Sequence, residues 1–195
     1  MSKVGISNLH YAVMDASHQD SATANPQYGT IKAPTCGIVS ANIQANSNTA
    51  KLFADNILWE SETSMQDGTL DLDVADLPLE VQADLLGHTY DSTGKTLIKK
   101  SSDTAPYVAV GGEFLMANGK KLAFWLYKVK FQEPSQSGNT KGDNTEFQTN
   151  AIQGTFSALK GGGDNVGRWQ YSQEFGSTDA TTTFYTSVPL AAVSP

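Results

Sequence analysis

The sequence contains a single cysteine, Cys36, among 195 residues. One cysteine cannot form a disulfide within the chain and cannot supply several thiolate ligands to a metal ion. Secreted domains that depend on disulfides are therefore excluded, and a reducing cytoplasm is expected as the place of assembly. The N-terminal segment has no apolar stretch of the signal-peptide kind, and no apolar run approaches the ~20 residues that cross a bilayer. We therefore expect a soluble protein without membrane contact.

Arginine is equally scarce: Arg168 is the only arginine among the 13 lysine and arginine residues. The 20 acidic residues give the chain a formal net charge of −7. A protein that grips nucleic acid needs clustered bases to hold the phosphates, so this composition excludes a strong nucleic-acid binder. The length fits one domain with one core, which we expect to span residues 1–195.

Apolar and polar residues alternate through much of the chain, and this pattern predicts a mainly β fold. Asn118-Gly119 lies between two apolar segments and predicts a tight hairpin over Tyr107 to Phe131. Asp67-Gly68 and Ser92-Thr93-Gly94 are further predicted turns. The predicted strands are Val4 to Val13, Ile38 to Ala45, Leu52 to Glu62, Leu70 to Val74, Thr96 to Lys100, Tyr107 to Phe114, Lys121 to Phe131, Glu146 to Leu159 and Arg168 to Phe175.

One segment, at about residues 77–87, has a helical spacing instead. Leu77, Val81 and Leu85 recur every four residues, which predicts a short α-helix that covers one face or end of a sheet. Asp76 is the predicted N-cap, and Gly87 follows the last turn.

Polar stretches at residues 15–29 and 132–144 have too few apolar residues to pack alone and are predicted loops. The last residues, from about 181 to 195, carry apolar side chains without a clear period, and two prolines there oppose a central strand. This C-terminal segment is predicted to be an arm without a place in the core, which packs on a neighbouring subunit. Its candidate contact residues are Phe184, Tyr185, Val188 and Leu190.

Charge is unevenly distributed. Leu52 to Gly94 contains acidic residues and no lysine or arginine, whereas Lys95 to Lys130 is rich in lysine. Two interpretations remain open: the two segments neutralise each other within one molecule, or an acidic patch of one copy meets a basic patch of the next copy.

Residues suited to catalysis or metal binding are few, and we predict no enzyme, cofactor or metal site. His10, His18 and His88 do not have the spacing of a zinc site. Cys36 has no basic neighbour in sequence that would lower its pKa. Gly94-Lys95-Thr96 matches only the end of a phosphate-binding loop.

Asp71 and Asp73 share one face of a predicted strand. This spacing suits an acid/base pair or a Ca²⁺ site, but the apolar residues on the opposite face favour a solvated polar row.

Aromatic residues leave open a function in which rings stack on sugars, although a place in a core or interface is favoured. The candidates are Trp59, Trp125, Trp169, Tyr127 and Tyr171. Lys121 to Phe131 is apolar on both faces, and we expect the core to cover one face and a partner to cover the other.

Several segments together resemble the major tail protein family of long, non-contractile-tailed bacteriophages, the tail tube proteins of siphophages. The resemblance runs from about Val4 to Phe175 and is weakest at Met14 to Ile31 and beyond Ser177. It is carried by Val4 to Tyr11 (VGISNLHY), Ala75 to Gly87 (ADLPLEVQADLLG), Ala105 to Gly111 (APYVAVG), Trp125 to Phe131 (WLYKVKF), Thr140 to Thr149 (TKGDNTEFQT) and Ile152 to Phe156 (IQGTF).

This resemblance implies a β-sandwich or barrel of the tail tube type with one flanking helix. It further implies six copies per ring and rings stacked into a tube through which DNA leaves the capsid. It places the protein in the virion tail, assembled in the host cytoplasm with tape measure, tail chaperone and tail terminator proteins as partners. The alternative is a β-sandwich carbohydrate-binding or adhesin module.

Two further sets of site residues follow as expectations. An acidic bore would let DNA slide because carboxylates repel phosphates, and the alternation makes Glu60, Glu62, Asp71 and Asp73 candidates for its lining. The resemblance suggests that the loop at 132–144, with Gln132, Lys141 and Asp143, reaches the next ring.

Overall fold

A computed structural model of the chain describes residues 2–17, 20–21, 25–136, 148–161 and 165–190. These residues form a mainly β fold with one short α-helix, which confirms the predicted fold class. The helix α1 is Leu79–Leu86, and a 3-10 helix spans Thr182–Tyr185. The strands are β1 Lys3–Val13, β2 Ile38–Ala54, β3 Ile57–Val74, β4 Thr89–Asp91, β5 Thr96–Ile98, β6 Val108–Met116, β7 Lys121–Phe131, β8 Asn150–Phe156 and β9 Gln170–Phe175.

Seven strands form one open antiparallel sheet in the order β1-β6-β7-β8-β3-β2, and β9 also pairs with β7. Strand β7 is its centre, because β8 pairs with its last residues and β9 with its first residues. The predicted hairpin is confirmed as β6 and β7, joined through Asn118-Gly119. The predicted turn at Ser92-Thr93-Gly94 is confirmed between β4 and β5, which form a separate two-stranded sheet.

The main core lies between the sheet and α1. Val81, Leu85 and Leu86 of the helix pack with buried residues of β3, β6, β7 and β8. The expectation that Asp76 caps the helix is wrong, because Pro78 occupies the N-cap and no side chain caps the end. The predicted helix end is confirmed: Gly87 has a φ of 76° and its N–H bonds to Ala83 O, a conformation that glycine adopts without strain.

A second apolar cluster covers the opposite face of β7. Trp125 is fully buried there against Phe184 and Tyr185 of the 3-10 helix. The expectation that a partner covers one face of β7 is therefore wrong, because the same chain buries both faces. The expectation that the C-terminal segment lacks a place in the core is wrong for Phe184 and Tyr185, which are 8% and 6% exposed.

Strands β2 and β3 form a hairpin of 17 and 18 residues, much longer than predicted. The predicted strand Leu52 to Glu62 is in fact the tip of this hairpin. Its two-residue turn is Asp55-Asn56, with φ values of 50° and 62°, as a type I′ turn requires. The predicted turn at Asp67-Gly68 is wrong, because both residues lie inside β3 and pair with β2.

Candidate functional site

The candidate site is one face of β3 and its two neighbouring strands. Leu70, Leu72 and Val74 of β3 are buried in the main core. Side chains alternate along a strand, so Asp71 and Asp73 point to the opposite face, as expected from the sequence. We call this opposite side of β2, β3 and β8 the acidic face.

A bulge in β3 brings Glu60 and Glu62 onto the acidic face. Without a bulge, the even-numbered residues Glu60 and Glu62 would lie on the other face of β3 from Asp71. The pairing register shifts, however, between the pairs Asn46–Asp67 and Ser47–Met65. The extra residue reverses the alternation, so the pairs on this side of β2 are Ala50–Glu62 and Leu52–Glu60. The acidic face thus carries Glu60, Glu62, Asp67, Asp71 and Asp73.

Uncharged side chains hold the inner carboxylates of this row. Asp71 accepts hydrogen bonds from Gln153 Nε2 at 2.6 Å and Asn42 Nδ2 at 3.4 Å, and Asp73 accepts one from Ser40 Oγ at 2.7 Å. Amide and hydroxyl donors orient a carboxylate without neutralising it. None of these three hydrogen-bond donors carries a positive charge.

No lysine or arginine of β2, β3 or β8 lies on the acidic face. Lys51 is the only base in these strands, and it pairs with Ser61, on the other side of the hairpin. The positions of β2 and β8 beside the carboxylates are amides, hydroxyls, alanine or leucine. On this side, these three strands therefore present carboxylates and uncharged groups without a cation.

The predicted loop residue Gln132 follows β7 directly and is exposed, and its N–H donates to Gln153 O. It lines an open groove of about 440 Å³ with Asp71, Asp73 and Glu133. The structure therefore brings Gln132 and two members of the acidic row together. Lys141 and Asp143 lie outside the described residues.

The hairpin tip carries an exposed apolar cluster that the sequence analysis missed. Trp59 is 71% exposed and Ile57 is 68% exposed. The complete cluster, called the tip cluster below, is Leu52, Phe53, Ile57, Leu58 and Trp59. Asp55-Asn56 between two apolar pairs is a hairpin signal that could have revealed it.

The aromatic residues considered for sugar stacking do not form a platform. Trp125 and Tyr127 are fully buried, and Trp169 stacks on Phe156 at 5.4 Å between ring centroids. Trp59 is far from them in the fold, at the hairpin tip. An exposed stacking surface made of several of these rings is therefore absent from the described part of the chain.

The C-terminal segment is attached to β7 by two side-chain hydrogen bonds. Trp125 Nε1 donates to Phe184 O at 3.2 Å, and Tyr127 OH donates to Pro189 O at 2.7 Å. Val188 and Leu190 are half-buried and line a groove beside residues 26–31. An additional contact of this segment with a neighbouring subunit stays a prediction.

The candidate nucleophile and ligands are dispersed. Cys36 is buried, and burial raises the pKa of its thiol. His10 stacks on Tyr185, and His88 binds two carboxylates, whereas His18 lies outside the described residues. Within the described ranges, no three His, Cys, Asp or Glu side chains converge as metal ligands would.

The ion pairs of the described residues do not join the acidic and basic segments of the sequence. Lys99 pairs with Glu133, Lys120 with Glu174 and Lys128 with Asp20, whereas Glu80 and Asp84 of the acidic segment pair with Lys32, which lies outside the basic segment. None of these ion pairs involves a carboxylate of the acidic row.

In the part of the chain that the structure describes, no helix is long and apolar enough to span a membrane.

A family model described as phage tail tube protein matches residues 1–187 of the chain. No curated protein matches the chain.

Proposed function

Because the chain belongs to the phage tail tube proteins, we propose that six copies form a ring, that rings stack into the tail tube, and that the acidic face lines the bore. The family is a structural one, and it implies a place in the virion tail and assembly with other tail proteins. As its assembly partners in the host cytoplasm we propose tape measure, tail chaperone and tail terminator proteins.

The observation that carries the proposal is the unneutralised acidic face. DNA must move through a tail without being held, and each cation that contacts a phosphate adds a salt-dependent attraction. A wall of carboxylates and uncharged polar groups repels phosphates at short range. The absence of bases from this face of β2, β3 and β8 is what such a wall requires.

The tip cluster supports assembly into a larger structure. Five exposed apolar side chains gathered at one end of a hairpin favour a contact site, because water solvates apolar surface poorly. The outer half of the hairpin, about residues 46–66, is mostly exposed on both faces in the free chain. A neighbouring copy that covers the tip would bury these side chains.

The test is charge reversal on the acidic face, with a matched control on the other side of the same strand. Glu60→Lys with Glu62→Lys introduces two lysines per copy into the proposed bore. Ser61→Lys with Thr63→Lys introduces two lysines one residue along, on the opposite face.

We expect both variants to form tubes and only the first to retain DNA at low salt. Retention should fall as salt rises, because the Debye length shortens to ~8 Å near physiological strength. The measurement is DNA retention by purified tubes at a series of salt concentrations. Equal DNA retention by the two variants would show that the acidic face does not line the bore. Loss of tubes in the first variant alone would show that Glu60 and Glu62 lie at a contact between copies.

A further inference from the structure

His88 lies at a junction of three connections that are distant in sequence. Its side chain is only 8% exposed, just after α1. Its Nδ1 is 2.8 Å from Asp103 Oδ2, in the connection between β5 and β6. Its Nε2 is 2.9 Å from Glu133 Oε2, two residues beyond β7.

These two hydrogen bonds together require a positively charged imidazole ring at His88. A neutral imidazole has one N–H and one acceptor nitrogen, so it can donate to only one of two carboxylates. Both distances are hydrogen-bond distances, and both are satisfied together only by the imidazolium. We infer that His88 is a pH-dependent clasp, which holds Glu133 in place while the ring is protonated and releases it when the proton leaves.

The charged groups around the ring indicate which carboxylate is released. Asp103 is 13% exposed and also accepts the backbone N–H of Lys100 at 2.9 Å. Glu133 is 49% exposed, and among the described residues its other partner is Lys99. The neutral ring therefore keeps its bond to Asp103 and loses Glu133.

The release changes the groove beside the acidic face. Glu133 lines this groove together with Asp71 and Asp73. In the closed clasp, His88 and Lys99 offset the charge of Glu133. Above the transition, one of these two cations is gone, and the groove becomes more negative.

The direction of the pH effect follows from the hydrogen bonds. The bond to Asp103 and then the bond to Glu133 raise the pKa of His88 above its ordinary value, against the opposing effect of burial. The clasp therefore adds its full stability below the unfolded pKa of ~6.5, and this stability is lost as pH rises through the higher folded pKa.

The experiment is an NMR titration of the full chain, which does not depend on assembly and so leaves the proposed function untouched. We expect the chemical shifts of the His88 ring and of the Glu133 carboxyl carbon to change together above pH ~6.5, the first because the ring loses its proton and the second because the carboxylate loses its hydrogen bond. The protection factor of the Gln132 amide, bonded to Gln153 O, should fall over the same pH range. The Ser157 amide, bonded to Lys128 O, serves as the internal control and should keep its protection.

A variant and its matched control test whether Glu133 raises the pKa of His88. Glu133→Gln should shift the pKa of His88 downward, whereas Glu174→Gln, which removes another carboxylate paired with a lysine, should leave it unchanged. A His88 ring that titrates at its ordinary pKa, or a Gln132 protection factor that stays constant through the His88 transition, would overturn the inference. The wild-type titration decides between these outcomes even if a variant fails to fold.

Discussion

Gly68 lies in the middle of β3, and its missing side chain leaves room for an aromatic ring. It pairs with Phe156 of β8, and a Cβ at this position would lie 2.1 Å from Phe156 Cζ. Phe156 is fully buried and cannot move aside freely. Glycine inside a strand often marks such a close approach, so the glycine of Asp67-Gly68 has a packing role although the pair has the sequence of a turn.

Gly68→Ala should therefore destabilise the protein by ~1–3 kcal/mol, because the added methyl group displaces the Phe156 ring from a packed core. Urea unfolding followed by circular dichroism measures the change. Gly5→Ala is the control in another strand, since nothing lies within 4 Å of its added Cβ. If both substitutions have the same small effect, the close approach at Gly68 is not the reason for its glycine.

At the scale of the element, the 3-10 helix at Thr182–Tyr185 acts as the cover of Trp125. Its sequence has no recognisable period because it is a single short turn, held by contacts with a strand far away in sequence. Periodicity identified β6, β7 and α1, which repeat their pattern over several residues. It could not show that Phe184 and Tyr185 belong to the core, since that depends on tertiary contacts.

Phe184→Ala should lower the free energy of unfolding by ~3–5 kcal/mol, the usual cost of removing a buried phenylalanine ring. Thr182→Ala changes an exposed residue of the same helix and should stay within ~0.5 kcal/mol. Thermal or urea unfolding of the two variants gives the comparison. An equally small loss for Phe184→Ala would mean that the helix does not cover Trp125 in solution.

At the scale of the whole molecule, the β2–β3 hairpin divides into a packed half and an exposed half. Its inner half belongs to the sheet and the main core, while its outer half carries the tip cluster into solvent. The alternation Leu70 to Val74 revealed the inner half and the side on which Asp71 and Asp73 lie. The bulge that aligns Glu60 and Glu62 with them has no signature in the sequence, because it depends on how β2 and β3 pair.

Trp59→Ser combined with Phe53→Ser should leave the fold intact and prevent tube formation, because both side chains are exposed in the free chain. Circular dichroism reports the fold, and size-exclusion chromatography with electron microscopy reports assembly. Val166→Ser removes another exposed apolar side chain, outside the hairpin, and should assemble normally. Normal tubes from the double variant would show that the tip cluster does not take part in contacts between copies.

In the tube proposed above, the free outer half of the hairpin would also affect how accurately copies add to one another. A two-stranded ribbon without a packing surface is marginally stable in water, so part of the free energy of each contact goes into ordering the ribbon. The net association of a single copy is then weaker than its buried area suggests. In such a tube, a copy that docks in the wrong place would dissociate before the next one arrives, so the length of the hairpin would provide a means of error correction during polymer growth.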